Sequence, residues 1–199
     1  AGAKVVDSLA EIPKDKKILF RAHGTKPELW EKAQKAGRDI IDATCPLVHE
    51  IHDEVKKLSD EGRQIIVIGD HGHDEVVAIA AQVDKAIVVS NKNEAAKIRR
   101  FRRIGVVSQS TQMIENVQEI VNVLMTRAYD LKFINTICFP TKRNHEQIKE
   151  LATNCDIIII IGSYTSANSK RLTKLSKTIN NNTYQVTCVD EIDEKWFLN

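Results

Sequence analysis

The amino-acid sequence predicts an α/β protein made of repeated lobes, each built on a parallel sheet, with the first and last lobes incomplete. Three observations carry this. Short β-branched runs such as Ile65–Ile68 and Ile157–Ile161 alternate with longer helical stretches, the pattern of buried parallel strands joined by helices. Several segments recur along the chain in the same order. The 199 residues are 42% hydrophobic, enough to bury one substantial core or two smaller ones.

In chain order, Lys17–Phe20 reads as a strand and Pro27–Ala36 as a helix. Asp39–Asp42 is a strand, followed by a helix from Pro46 that Gly62 stops. Ile65–Ile68 is a strand, with a helix from about Asp74. Ala86–Val89 is a strand, with a helix from about Asn93. Ile104–Val107, Lys132–Ile137 and Ile157–Ile161 are strands, each followed by a helix, and Thr187–Val189 is a last short strand.

The recurrence is explicit in the letters. Lys17–Thr25 matches Arg103–Thr111, Asp42-Ala43-Thr44-Cys45 matches Asn135-Thr136-Ile137-Cys138, and Ile65–Gly69 matches Ile158–Gly162. The last two matches share one offset of 93 residues, from 45 to 138 and from 69 to 162. A third element recurs as Val5-Val6-Asp7-Ser8, Val88-Val89-Ser90-Asn91 and Cys188-Val189-Asp190-Glu191. An array of similar lobes follows, with expected boundaries at residues 1–45, 46–137 and 138–199.

Composition narrows the function. A net charge of +2 gives no sign of a nucleic-acid surface. The one dense basic run, Lys97–Arg103, reads as the solvated end of a helix and its turn. No stretch approaches the ~20 apolar residues of a membrane span. The chain begins with Ala1 directly before an apolar run, so further sequence is expected upstream. Its four cysteines are scattered, which suits a reducing compartment: a cytoplasm, or alternatively a plastid-like organelle.

In open parallel sheets ligands sit beyond the carboxyl ends of strands, near helix N-termini. Here those ends carry His23, Cys45, His73, Ser108–Thr111, Cys138 and Ser163–Ser169, with Glu75 close by. Cys45 and Cys138 close repeat-equivalent strands, and thiols at helix N-termini suit metal ligation; the plain alternative is two buried thiols. Cys155 and Cys188 read as packing residues. Gly69–Glu75 suits an anion site with a proton donor, or else a polar turn. Gly162–Ser169 is rich in hydroxyls and amides that would hold phosphate oxygens, or that simply cap a helix. His49, His52 and His145 lie on helices and read as solvent-exposed.

Six segments taken together resemble the 4-hydroxy-3-methylbut-2-enyl diphosphate reductase family: Ala22-His23-Gly24, Asp42–Pro46, His73–Val76, Ser108–Thr111, Asn135–Cys138, and Ser166–Ser169 with Arg171-Leu172. The resemblance covers essentially the whole chain. It implies three lobes in a pseudo-threefold arrangement around a 4Fe-4S cluster. It implies reductive removal of the allylic hydroxyl of the diphosphate substrate, giving isopentenyl and dimethylallyl diphosphates, with electrons from a donor such as ferredoxin or flavodoxin. Carried over position by position, Cys45 and Cys138 match two of three cluster ligands, the third lying outside this chain. His23, His73, Ser166 and Asn168 match diphosphate contacts, and Glu75 the proton-relay carboxylate. Ser110 and Thr141 match hydroxyls near the substrate. The sequence departs from the family pattern at Asp74, where proline is usual, at Ala167, and at Asn144-His145, where arginine and glutamine are usual. Two alternatives stay open: a phosphate-binding α/β module without a cluster, and a zinc site using both cysteines with His23 or His73.

Overall fold

A computed structural model describes residues 2–197. The chain divides into two compact units, residues 1–109 with 115–136, and residues 110–114 with 137–199. The first unit holds β1 (Ile18–Phe20), α1 (Pro27–Lys35), β2 (Ile40–Asp42), α2 (Pro46–Asp60), β3 (Gln64–Ile68), α3 (Asp74–Ala80), β4 (Ile87–Val89), α4 (Lys92–Ala96), β5 (Phe101–Ser108), α5 (Ile114–Met125) and β6 (Ala128–Phe133). The second holds α6 (Phe139–Asn154), β7 (Ile158–Ile161), α7 (Ala167–Lys177) and β8 (Thr183–Val186). Every strand pairing is parallel, in sheets ordered β1-β2, β4-β3-β5-β6 and β7-β8. The predicted α/β class is the observed one.

The local reasons are simple. Proline starts α1, α2 and α6 in their first turns, where its missing N–H costs nothing. Gly62 follows α2 with φ +72°, the left-handed exit that glycine permits. Val48, Ile51, Val55 and Leu58 form the buried stripe of α2. Ile51, Val55 and Leu58 pack with Ile65, Val67, Val76, Ile79 and Val107 in one cluster of the core. Each such side chain contributes roughly 1.5–3 kcal/mol when fully buried.

The repeat shows in the strand register. Ile18 opposes Ile40 in β1–β2, and Val106 opposes Phe133 in β5–β6. The Cys45 amide donates to Ala22 O at 3.0 Å, and the Cys138 amide donates to Ser110 O at 3.0 Å. Likewise Gly69 N donates to Val89 O at 2.9 Å, and Gly162 N to Val186 O at 2.8 Å. The 93-residue offset therefore holds for the cysteines and the glycines. The match of Lys17–Thr25 to Arg103–Thr111 does not: register places Ala22-His23-Gly24 opposite Ser110-Thr111-Gln112, two residues later. The third element is corrected in the same way. Strand β8 ends at Val186, and Thr187 takes the place of Ser90. The carboxylate four residues on then binds each amide, Glu94 Oε2 to Ser90 N at 2.9 Å and Glu191 Oε2 to Thr187 N at 2.8 Å.

Other elements also shift from expectation. Strand β6 covers Ala128–Phe133, not Lys132–Ile137, because β5 starts early at Phe101 and its partner runs alongside from Ala128. The Thr136 hydroxyl instead accepts from Ser108 N at 2.7 Å and donates to Ser108 O at 2.6 Å, closing the loop after β6. Residues 187–189 form no strand: β7 offers no partner beyond Ile161, and Cys188 caps a 3-10 turn. The basic run begins as the expected helix end and turn, with Lys97 the C-cap of α4, but it does not stop there. Arg102 and Arg103 lie on β5, and Arg103 pairs with Asp130 at 3.1 Å.

Candidate functional site

In the first unit the relevant side chains gather where β1, β2, β3 and β5 end. Cys45 is the N-cap residue of α2, with φ −59° and ψ 132°. Its thiol is free and half-buried. His23 and His73 stand edge to face, ring centroids 5.3 Å apart at 88°. His73 caps α3, and its Nδ1 accepts from Glu75 N at 3.2 Å. The neutral His73 ring thus carries its proton on Nε2. Glu75 is 2% exposed, which does not suit a mere solvated charge at a helix start. Asp74, at the position where proline is usual, forms an ion pair with Arg21 at 2.7 Å. That ties the start of α3 to the segment leading into His23.

Gln109 is a site neighbour that sequence reasoning quoted in Ser108–Thr111 but did not select. It is fully buried. Its Oε1 accepts from Asp70 N at 3.1 Å, and its own amide donates to Ile68 O at 2.8 Å. It therefore shapes the turn between β3 and His73. Gly69 permits this contact: a Cβ there would lie 2.4 Å from Val76 Cγ2 and 3.2 Å from Gln109.

In the second unit Cys138 caps α6, and its Sγ lies 2.9 Å from Thr141 Oγ1. Thr141 and Ser110 are buried. The Cys138 amide is held by the carbonyl of Ser110 at 3.0 Å, so three of the expected site residues lie together at the head of α6. Ser166 caps α7, its Oγ accepting from Ser169 N at 3.3 Å. That is the helix-cap role weighed against phosphate binding, and one hydroxyl can do both, since its own proton remains to donate. Asn168 Oδ1 is buried and has no hydrogen-bond partner among the described residues. An amide turned over would present Nδ2 in the same place. Arg171 donates to Thr111 Oγ1 at 2.7 Å, bringing a cation to the residue that register equates with His23.

Four expectations are corrected here. His52 and His145 are buried, at 6% and 7% exposure, because they fall on the apolar stripes of α2 and α6. Cys155 and Cys188 are exposed, not packed, because one ends α6 and the other starts a surface turn. His49 is half-exposed as expected, and its Nε2 lies 3.0 Å from Asp42 Oδ2.

The chemistry of the donors can be tested against the implied groups. No group of three or more His, Cys, Asp or Glu is placed to hold one metal ion among the described residues. A 4Fe-4S cluster takes its thiolates on separate irons, so its ligands need not converge on one metal ion. Two free thiols, each at a helix N-terminus in the same register, fit as part of its ligand set.

A sequence model of the LytB protein family matches residues 1–199. The chain belongs to the LytB family. Curated relatives of this LytB chain carry the name 4-hydroxy-3-methylbut-2-enyl diphosphate reductase. The protein of Geotalea daltonii is 35% identical over 98% of this chain and 70% of its own length. That of Campylobacter hominis is 34% identical over 100% and 72%. Among solved structures, the reductase from Plasmodium falciparum superposes with a TM-score of 0.91 at 28% identity, covering 98% of this chain and 63% of that one. A second, described as the terminal enzyme of the non-mevalonate pathway, gives a TM-score of 0.67 at 35% identity, covering 96% and 69%. The LytB chain thus spans about 70% of the curated relatives cited here and less than two thirds of the Plasmodium chain. No helix among the described residues is long and apolar enough to cross a membrane.

Proposed function

We propose that this LytB chain is the part of a 4-hydroxy-3-methylbut-2-enyl diphosphate reductase that carries two of its three cluster cysteines and most of its substrate contacts. The reaction breaks the allylic C–O bond. Two electrons and two protons enter, the oxygen leaves as water, and the products are isopentenyl and dimethylallyl diphosphates. Cys45 and Cys138 hold a 4Fe-4S cluster, with a third thiolate from outside this chain. When bound, that cluster supplies the two electrons, taken in turn from a carrier such as ferredoxin or flavodoxin. The setting is a cytoplasm.

The chain's own residues do the rest. His23, His73, Ser166 and Asn168 donate to the diphosphate oxygens, and hydrogen bonds to such charged acceptors are the strong ones. Ser110 and Thr141 offer hydroxyls to the substrate oxygen. Glu75, buried beside the His73 cap, delivers a proton as the C–O bond breaks. The observation that carries this reading is the pair of cysteines at helix N-cap positions, each with its amide held by the carbonyl of Ala22 or Ser110, in a chain that belongs to the LytB family. The test is turnover. Anaerobically purified full-length protein, supplied with a chemical reductant and 4-hydroxy-3-methylbut-2-enyl diphosphate, is expected to be brown and to release both products. A colourless protein that binds diphosphate and turns nothing over would establish the phosphate-binding alternative.

A further inference from the structure

Two helical turns after each cysteine lies a buried histidine that the proposed chemistry does not use. His52 follows Cys45 by seven residues on α2, and His145 follows Cys138 by seven on α6. The two are separated by the same 93 residues, from 52 to 145, as the cysteines themselves. Seven residues make close to two turns, so each imidazole sits on the helix face that leads up to its thiol.

The surroundings of His52 say what it does. Gly24 has φ +85°. A Cβ there would lie 2.7 Å from His52 Cε1, 3.0 Å from His52 Nε2 and 3.2 Å from Val48 Cγ1. The edge of the imidazole therefore rests directly against the Gly24 backbone. Its Nε2 is buried with no hydrogen-bond partner among the described residues. A leucine would spare that nitrogen, so hydrophobic filling alone does not account for an imidazole at this site. Gly24 follows His23, whose ring meets His73 edge to face. Ala22, on the other side of His23, accepts the Cys45 amide at 3.0 Å. Residues 22–24 thus carry one proposed diphosphate contact and anchor one proposed cluster ligand, and the His52 ring is their floor. At the equivalent place in the second unit, register puts buried Gln112 where Gly24 would be. His145 thus shares the seat on its helix without the glycine above it.

We propose that His52 is a positioning residue, which sets the height of the Ala22–Gly24 turn and so aims the His23 ring at the diphosphate. The inference rests on the reductase reading, in which His23 touches that group. The flat ring is what matters: it fits beneath a glycine, where a tetrahedral side chain of similar volume pushes upward.

The experiment measures inorganic diphosphate affinity, iron content, thermal midpoint and steady-state kinetics in full-length protein for His52→Leu, His23→Ala and the double variant. His52→Leu is expected to weaken diphosphate binding about tenfold and to raise KM more than it lowers kcat, because a charge-assisted contact is misaimed. Iron content is expected to stay at the wild-type level. In the His23→Ala background the further loss on His52→Leu is expected to vanish, since coupled residues are not additive. His52→Gln, a milder change that keeps a polar tip, is expected to fall between wild type and leucine, and serves if His52→Leu does not fold. An undiminished effect of either His52 variant in the His23→Ala background would overturn the inference, as would wild-type affinity in either variant alone. Wild-type protein that ignores diphosphate altogether would instead overturn the reductase reading, and the inference with it.

Discussion

Glu75 sits in the first turn of α3 with 2% of its surface exposed, and its amide meets the His73 cap. As a plain helix-start charge it would be worth less than about 1 kcal/mol, and its removal would leave chemistry alone. As the proton donor it is worth far more: Glu75→Gln keeps the shape and should lower turnover by about 10²–10⁴-fold. Iron content and diphosphate affinity should hold, and measuring all three together separates the roles. Near-normal turnover would return Glu75 to the helix dipole. His52 gives the second test at this scale. Burial, reinforced by the nearby positive charges of His49 and Lys56, pushes its imidazole down from 6.5 to about 4. Between those values the unfolded chain takes up a proton that the folded chain refuses. Its contribution to stability is therefore complete above pH 6.5 and is lost as pH falls toward 4, by up to about 3 kcal/mol. Denaturant unfolding near neutrality and at about pH 4.5 should show His52→Leu losing less stability on acidification than wild type. The placement of the two thiols, His23, His73 and Glu75 at strand-to-helix junctions was legible in the sequence, because each follows a short apolar run. The burial of His52 was less so, although its spacing between Val48 and Val55 already placed it on the apolar stripe of α2.

Among the elements, the strand-to-helix turns after β3 and β7 are the most constrained. Gly69 and Gly162 occupy equivalent places, and a Cβ on either meets the helix that follows, Val76 Cγ2 at 2.4 Å or Ser169 Oγ at 2.3 Å. The two obstacles differ. Val76 is 1% exposed and branched within the core, whereas Ser169 is partly exposed and can rotate its hydroxyl. Gly69→Ala should therefore cost about 1–3 kcal/mol of stability, as overpacking does. Gly162→Ala should cost less, with thermal unfolding as the measure. A larger loss at residue 162 would contradict this picture of the two turns. Helices were readable from proline starts and glycine stops, and β3 and β7 from their uninterrupted isoleucine and valine. Strands β6 and β8 were misplaced by several residues for a physical reason. Both lie at sheet edges, and their limits are set by how far the neighbouring strand runs rather than by their own side chains. Tyr129, 92% exposed within β6, shows how little burial marks such a strand. The displaced repeat match at residues 103–111 has the same origin, since strand pairing decides equivalence where the letters agree only loosely.

At the scale of the molecule, one repeated unit of structure places a thiol at the head of a helix twice over, and LytB membership gives that repetition its meaning. The predicted α/β class holds, and the cysteine and glycine offset of 93 residues survives in the hydrogen bonds. What the sequence could not show is which of its four cysteines matter beyond their repeat position. In the structure burial separates the two pairs, since Cys45 and Cys138 are half-buried and Cys155 and Cys188 exposed, and the amide anchors from Ala22 and Ser110 set the first pair apart as well. The most direct measurement is anaerobic iron and acid-labile sulfide analysis of full-length protein carrying each cysteine in turn as serine, a much poorer iron ligand than thiolate. Iron and sulfide should disappear in Cys45→Ser and in Cys138→Ser and stay at the wild-type level in Cys155→Ser and Cys188→Ser. Iron and sulfide retained in the first two variants, or lost equally in all four, would contradict the assignment.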